Sequence, residues 1–192
     1  KLIITVDNGI VAHDGVKKAN ELGIDVVVTD HHLKGKKLPK ALATIHTTEI
    51  GGAGLAWVLA REISSKVKAS SYKLQSSLEL AAIGTISDQL PLIGPNRSFA
   101  KYGLETIAKT KRTGLLALFE DAKVGRESGD WKIGTYEVNF VIAPRLNAMG
   151  RLEHAIDSLR LLCTNSRVRA RELASLLGRT NLKRQKVVDE VL

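Results

Sequence analysis

Short unbroken apolar runs and stretches with helical spacing follow one another along this chain, and the two patterns separate by region. Leu2-Ile3-Ile4-Thr5-Val6 is continuous and largely β-branched, which predicts a strand buried on both faces of a parallel sheet. Residues 11–22 set Val11, Val16, Ala19 and Leu22 on one side of a helix that Gly23 ends. Residues 24–29, with Val26-Val27-Val28-Thr29, repeat the strand pattern, so residues 2–29 read as a βαβ unit with a right-handed crossover. After a turn over 34–39, residues 41–45 predict a short third strand.

Beyond Gly51-Gly52-Ala53-Gly54 the spacing becomes helical, over 54–68, 72–86, 97–109 and 113–121, and then gives way to a polar, glycine-bearing loop over 124–134. Residues 136–142 admit either a strand, by β-propensity, or an irregular approach to Pro144. Helical spacing returns over 153–162 and 167–192, the last with Leu173, Leu176, Leu177, Leu182, Val187, Val188 and Leu192 among many Lys and Arg. A long charged helix at a chain terminus reads as a connector. The fold class is therefore α/β: a parallel sheet, a mainly helical part, and a long C-terminal helix.

With 192 residues, 44% of them hydrophobic, the chain can bury a full core. It has no run of about 18 apolar residues, so no membrane span is expected, and no signal-peptide pattern. A single cysteine makes no internal disulfide, which fits a reducing, cytoplasmic setting, and its place in Leu161-Leu162-Cys163 predicts a packed core thiol. The net charge of +9 favours a polyanionic partner. Only 4% of residues are aromatic, so backbone phosphates rather than stacked bases would dominate such contacts.

Candidate chemistry gathers at strand ends. Ligands bind beyond the carboxyl ends of strands in open parallel sheets, so Asp7 and Asp30-His31-His32 would face one crevice if their strands are neighbours. Carboxylates with imidazoles suit Mn²⁺, Fe²⁺ or Zn²⁺, and an oxygen-rich set favours Mn²⁺. The plainer alternative makes Asp7-Asn8-Gly9 a strand-exit turn and Asp30 a cap. Asp88 follows the 72–86 helix, where a carboxylate opposes the helix dipole unless a cation stands nearby. The glycines at 51–54, Gly52 and Gly54 among them, open a helix whose free N–H groups could hold a phosphate or simply pack closely. Arg145, Asn147 and Arg151 fall in what reads as a Pro- and Gly-bracketed loop suited to phosphate contacts, and Arg97 has similar standing. His13, His46 and His154 lack partner spacing and read as surface or capping residues.

Val6-Asp7-Asn8-Gly9-Ile10 followed by Val28-Thr29-Asp30-His31-His32 resembles the second and third motifs of the DHH phosphoesterases. Gly84-Thr85-Ile86-Ser87-Asp88-Gln89-Leu90-Pro91-Leu92 with Asn96-Arg97 is similar to the fourth motif in its RecJ form. Residues 143–151, Ala-Pro-Arg-Leu-Asn-Ala-Met-Gly-Arg, and Asn181-Leu182-Lys183-Arg184-Gln185 also look like RecJ-type segments. The resemblance implies a two-metal phosphodiesterase using Mn²⁺ or Mg²⁺, acting on single-stranded DNA from the 5′ end in repair and recombination. It implies that Asp7 bridges two metals, that His31 and Asp88 ligate one of them, that His32 touches the scissile phosphate and that Asp30 orients an imidazole.

It further implies a DHH core over 1–165 and a connector over 166–192 leading to a DHH-associated domain, with a monomeric enzyme and single-strand binding protein as candidate partner. Family members carry an earlier strand ending in Asp-x-Asp, which no residue here supplies. These 192 residues alone are therefore expected to hold metal weakly and to be nearly inactive. Residues 44–50 also lack the usual Asn-Pro. Two other readings are a DHH enzyme acting on short RNA or cyclic dinucleotides, against which Asp88-Gln89-Leu90-Pro91 speaks, and a non-catalytic nucleic-acid-binding relative, against which the intact Asp7, His31, His32 and Asp88 speak.

Overall fold

A computed structural model describes residues 1–67 and 77–191, in two compact units, Lys1–Gly103 and Leu104–Leu192. The first unit is built on a three-stranded parallel sheet, β1 (Leu2–Val6), β2 (Asp25–Asp30) and β3 (Ala43–His46), in that spatial order. Its register pairs Leu2 with Asp25 and Val6 with Thr29 on one side of β2, and Val27 with Ala43 and Asp30 with His46 on the other. The strands therefore end side by side. Between β1 and β2 runs α1 (His13–Glu21), whose Val16 and Ala19 close over Val26 and Val28, with Ile24 and Ala41 at the margin.

β2 is buried as its apolar run predicts, whereas β1 is not. Leu2, Ile3, Ile4 and Val6 are between 41% and 55% exposed among these 192 residues, where the expectation is a strand covered on both faces. An apolar run fixes strand formation, but burial depends on neighbours. β2 has a paired strand on each side, while β1 has β2 alone among the described residues.

After β3 the chain enters α2 (Gly52–Lys66), which packs against β2 and against α3 (Leu78–Ser87). The start of the helix expected over 72–86 lies outside the described residues. Ala81, Ala82, Ile83 and Ile86 are all buried, so α3 is apolar around most of its circumference, as a helix inside a unit must be. A Cβ on Gly84 would overlap that of Ala53, so the glycine permits the close α2–α3 approach. Next is α4 (Gly94–Ala108), which begins three residues earlier than its spacing suggests.

In the second unit, α5 (Thr113–Asp121) buries Leu115, Leu118 and Phe119 against α7 (Ile156–Cys163) and α8 (Arg167–Val191). The 124–134 segment is not wholly loop. It holds a minimal hairpin of β4 (Arg126–Glu127) and β5 (Asp130–Trp131), turned by Ser128 and Gly129 with φ of 51° and 90°. Trp131 packs its ring on Phe119 at 5.3 Å, which anchors the hairpin.

Residues 137–142, for which the sequence admits strand or irregular chain, form a π-helical turn, Glu137–Ile142, that runs directly into α6 (Ala143–Leu152). Pro144 is the second residue of α6, just past the π turn. Arg145, Asn147 and Arg151 consequently stand on a helix, not in the expected loop. Cys163 is also corrected: it ends α7 and is exposed, because Leu161 takes the core-facing position.

Packing along α8 changes partway. Ala170, Leu173, Ala174, Leu177 and Asn181 are buried, whereas Leu182, Val187 and Val188 are exposed. Among the described residues no helix is long and apolar enough to cross a membrane.

Candidate metal centre

Every predicted ligand of the centre lies in the first unit, at the carboxyl ends of β1 and β2 and the C-terminus of α3. Asp7 leaves β1 with φ of 59°, in the left-handed region that aspartate tolerates better than bulkier residues. Thr5 stabilises the turn by donating its hydroxyl to the Asn8 carbonyl at 2.6 Å, while the Thr29 hydroxyl donates to the Thr5 carbonyl at 2.7 Å. Gly9, at φ of 113°, completes the turn. A Cβ there would stand 2.8 Å from the Thr5 hydroxyl oxygen.

His31 is the meeting point. Its Nε2 lies 2.9 Å from Asp7 Oδ1 and 3.5 Å from Asp88 Oδ2, with the imidazole 10% exposed and the two carboxylates 52% and 46% exposed. Ligand atoms of Asp7, His31 and His32 all lie within 4.8 Å of one another. Asp88 caps α3, its N–H bonded to the Gly84 carbonyl at 3.0 Å, and Gln89 follows at φ of 56°. Both carboxylates are thus gathered at one nitrogen, one of them against a helix dipole, an arrangement that repels itself unless a cation is shared.

The start of α2 is shaped to this cluster. A Cβ on Gly52 would overlap the Asp7 carboxyl group, and one on Gly51 would stand 2.7 Å from Leu90 Cδ1 and 3.6 Å from Asp88 Oδ2. A side chain at Gly52 would push Asp7 aside, whereas one at Gly51 would displace Leu90, which lies close to Asp88 in sequence. Gly54 faces elsewhere: it is buried, and a Cβ there would meet Ile50 at 2.7 Å and Phe99 at 3.0 Å, so close packing accounts for it.

Asp30 plays a different part from Asp7. It is buried, and its carboxylate accepts the Ile10 N–H at 2.8 Å, the His31 N–H at 2.8 Å, the His32 N–H at 3.2 Å and His32 Nδ1 at 2.7 Å. Burial alone would push its pKa up, but the bonds from Ile10 and His32, then His31, outweigh it and hold the group down at about 2. The same bond to Asp30 raises the pKa of His32 against the opposing effect of burial, with the charges of Asp30, Asp7 and Asp88 adding to the rise. Since Asp30 occupies Nδ1, the outward nitrogen of His32 is Nε2.

The other predicted residues stand apart from this cluster or in the other unit. Arg97 is exposed on α4, and neighbouring Asn96 is buried, its amide donating to the Pro91 carbonyl at 3.3 Å. In the second unit, Arg145 is half-buried with Nη1 donating to the Val141 carbonyl at 2.9 Å, while Asn147 and Arg151 are exposed. His46, read from sequence as surface or capping, instead donates Nε2–H to the His32 carbonyl at 2.7 Å. Its only sequence signal is its place one residue past the third apolar run.

The donor set fits a hard divalent cation. Two carboxylates and an imidazole, oxygen-rich and free of thiolate, match Mn²⁺ or Mg²⁺ better than thiophilic metals, and the glycine cradle leaves the carboxylates room to turn.

Residues 1–85 match the DHH family, N-terminal domain. The chain is 40% identical to the single-stranded-DNA-specific exonuclease RecJ of Bacillus subtilis (strain 168) across 99% of its own length and 24% of that protein. The crystal structure of RecJ from Thermus thermophilus in complex with Mn²⁺ superposes with a TM-score of 0.87 at 36% identity, covering 99% of this chain and 29% of that one. Its Mg²⁺ complex gives 0.72 at 33% identity, covering 99% and 27%. The chain thus spans 24% to 29% of the length of these relatives. Sequence motifs and both kinds of likeness converge: over residues 1–85 the chain is similar to the DHH family, N-terminal domain, and along nearly its whole length to RecJ exonucleases.

Proposed function

We propose that this protein is a metal-dependent phosphodiesterase that degrades single-stranded DNA as an exonuclease, in the 5′ to 3′ direction, during repair and recombination. The observation that carries the reading is the convergence of Asp7 and Asp88 on His31 Nε2 at 2.9 Å and 3.5 Å. Asp7, His31 and Asp88 would hold Mn²⁺ or Mg²⁺, with Asp7 shared between two ions in the intact enzyme. When bound, such ions polarise the phosphoryl oxygen and make water acidic enough to attack at neutral pH.

The remaining work falls to the chain. Asp30 fixes the His32 ring through Nδ1, which turns Nε2 outward to donate a hydrogen bond to a phosphate oxygen of the strand. Bond cleavage adds negative charge at that phosphate, and the bond to Asp30 favours the protonated imidazole, the form in which Nε2 as well as Nδ1 donates. The Gly52 amide at the start of α2 and the side chains of Arg97, Arg145, Asn147 and Arg151 are assigned to the phosphate backbone of the strand. Residues 166–192 are assigned to a connector toward a DHH-associated domain. A cytoplasmic monomer working beside single-strand binding protein completes the proposal.

The test is digestion of 5′-phosphorylated single strands, duplexes and dinucleotides by the intact protein with Mn²⁺. Preferential release of mononucleotides from the single strand, abolished by Asp88→Ala, is the expected result. Equal turnover by Asp88→Ala, or cleavage confined to dinucleotides, would overturn the assignment.

A further inference from the structure

One imidazole outside the ligand set touches the centre from behind. His46 is the last residue of β3, paired in register with Asp30, and its Nε2 lies 2.7 Å from the carbonyl oxygen of His32. A carbonyl oxygen only accepts, so Nε2 carries the hydrogen. Beside it, the Thr47 N–H reaches the Asp30 carbonyl at 3.4 Å, so the strand end that presents His46 is tied to β2.

The segment His46 holds has few other restraints. β2 ends at Asp30, and residues 31–42 leave the sheet without forming a helix or strand. Asp30 secures the incoming amides of His31 and His32 and the His32 ring. Among the described residues, His46 is what secures the outgoing carbonyl of His32. The two rings carried by this segment lie 4.6 Å apart, centroid to centroid, so a swing of the backbone would displace both at once. The donor reaches from a paired strand, a rigid support, to an irregular one.

We propose that His46 is a positioning residue of the centre: its Nε2–H, donated to the His32 carbonyl, fixes the backbone from which His31 and His32 project. The consequence for cleavage rests on the function proposed above, whereas the consequence for the backbone does not.

Two substitutions separate the hydrogen bond from the bulk of the ring. His46→Phe keeps a ring and removes the donor, while His46→Gln keeps an N–H at comparable reach. Amide hydrogen exchange at His31 and His32 in the metal-free protein reads the backbone, and kcat and KM on single-stranded DNA with Mn²⁺ read the site. His46→Phe should speed exchange at both amides by about tenfold or more and lower kcat by about tenfold or more, with KM within about threefold of the parent. His46→Gln should restore both to within about threefold. Should His46→Phe fail to fold, His46→Leu takes its place.

Unaltered exchange in the donor-less variant overturns the proposal, whatever its cleavage rate. Equal impairment in His46→Gln and His46→Phe overturns it too, because ring packing would then be the cause. A parent protein that cleaves no single strand, combined with the expected exchange pattern, leaves His46 as a positioning residue and removes the function proposed above.

Discussion

β1 and β2 are nearly the same sentence written twice: an unbroken β-branched run, a threonine, and an aspartate at the carboxyl end. Their aspartates nevertheless do opposite work. Asp30 is buried and accepts three backbone N–H groups and one imidazole, so its charge is spent within the fold. Asp7 is half-exposed, turned out by a left-handed backbone, and faces His31 at 2.9 Å and the glycine edge of α2. A strand-end carboxylate becomes scaffold or ligand according to how many N–H groups the neighbouring turn supplies. Here the turns after both strands supply them to Asp30, Ile10 from the first and His31 and His32 from the second.

Exchanging the two acids for neutral residues should expose this difference most sharply. Asp7→Asn should lower strand cleavage by about a thousandfold, equivalent to about 4 kcal/mol, in steady-state assays with Mn²⁺, while thermal unfolding stays near that of the parent. Loss of thermal stability instead, with activity retained, would reverse the roles assigned here. Asp30→Ala should do the opposite at first order. It leaves one buried and two half-buried N–H groups without their acceptor and should cost about 3 kcal/mol in denaturant unfolding, before any effect on the metal is considered.

Acid sharpens the comparison further. Asp30 has a folded-state pKa of about 2 against an ordinary value of 3.8, so its carboxylate stabilises the fold above the higher value and ceases to do so as pH falls through the lower. Unfolding of the metal-free protein should therefore lose about 2 kcal/mol between about pH 5 and pH 2, and Asp30→Asn should flatten that slope. His32 acts in the opposite sense: its raised pKa makes the Asp30 bond most favourable below the ordinary histidine value and weaker as pH rises past the folded one. The ring is mostly exposed, so the effect on stability is small.

Much of this is legible in the sequence. β2, α5 and the strand-end placement of Asp7 and His31 follow from runs and spacing, and motif brings Asp88 beside them, because each depends on local pattern. What escapes depends on neighbours. Nothing in Leu2–Val6 tells how many strands flank it, and so its exposure cannot be read there. Tyr136–Ile142 has strand-forming side chains, yet the helix that begins at Ala143 draws it into a π turn. Arg145, Asn147 and Arg151 stand on a helix instead of a loop for the same reason. A lone histidine past a strand carries no spacing signal, so the part played by His46 emerges only from β3 lying beside β2.

The smallest effect in this series concerns the strands themselves. Val28→Thr buries a hydroxyl in β2 and should cost about 1.5 kcal/mol, whereas Ile4→Thr on exposed β1 should stay within about 0.5 kcal/mol in the same unfolding experiment. Equal costs would mean that β1 is covered in solution.

The central claim is that the outer-strand acid, and not the central one, joins a cation to His31 and Asp88. Titration of Mn²⁺ followed by electron paramagnetic resonance, on the parent, Asp7→Asn and Asp30→Asn, tests it directly. Asp7→Asn should weaken the affinity by about a hundredfold or more, and Asp30→Asn, which keeps a hydrogen-bonding side chain behind His32, by about tenfold. Affinity unchanged in Asp7→Asn, or lost equally in both variants, would contradict the account.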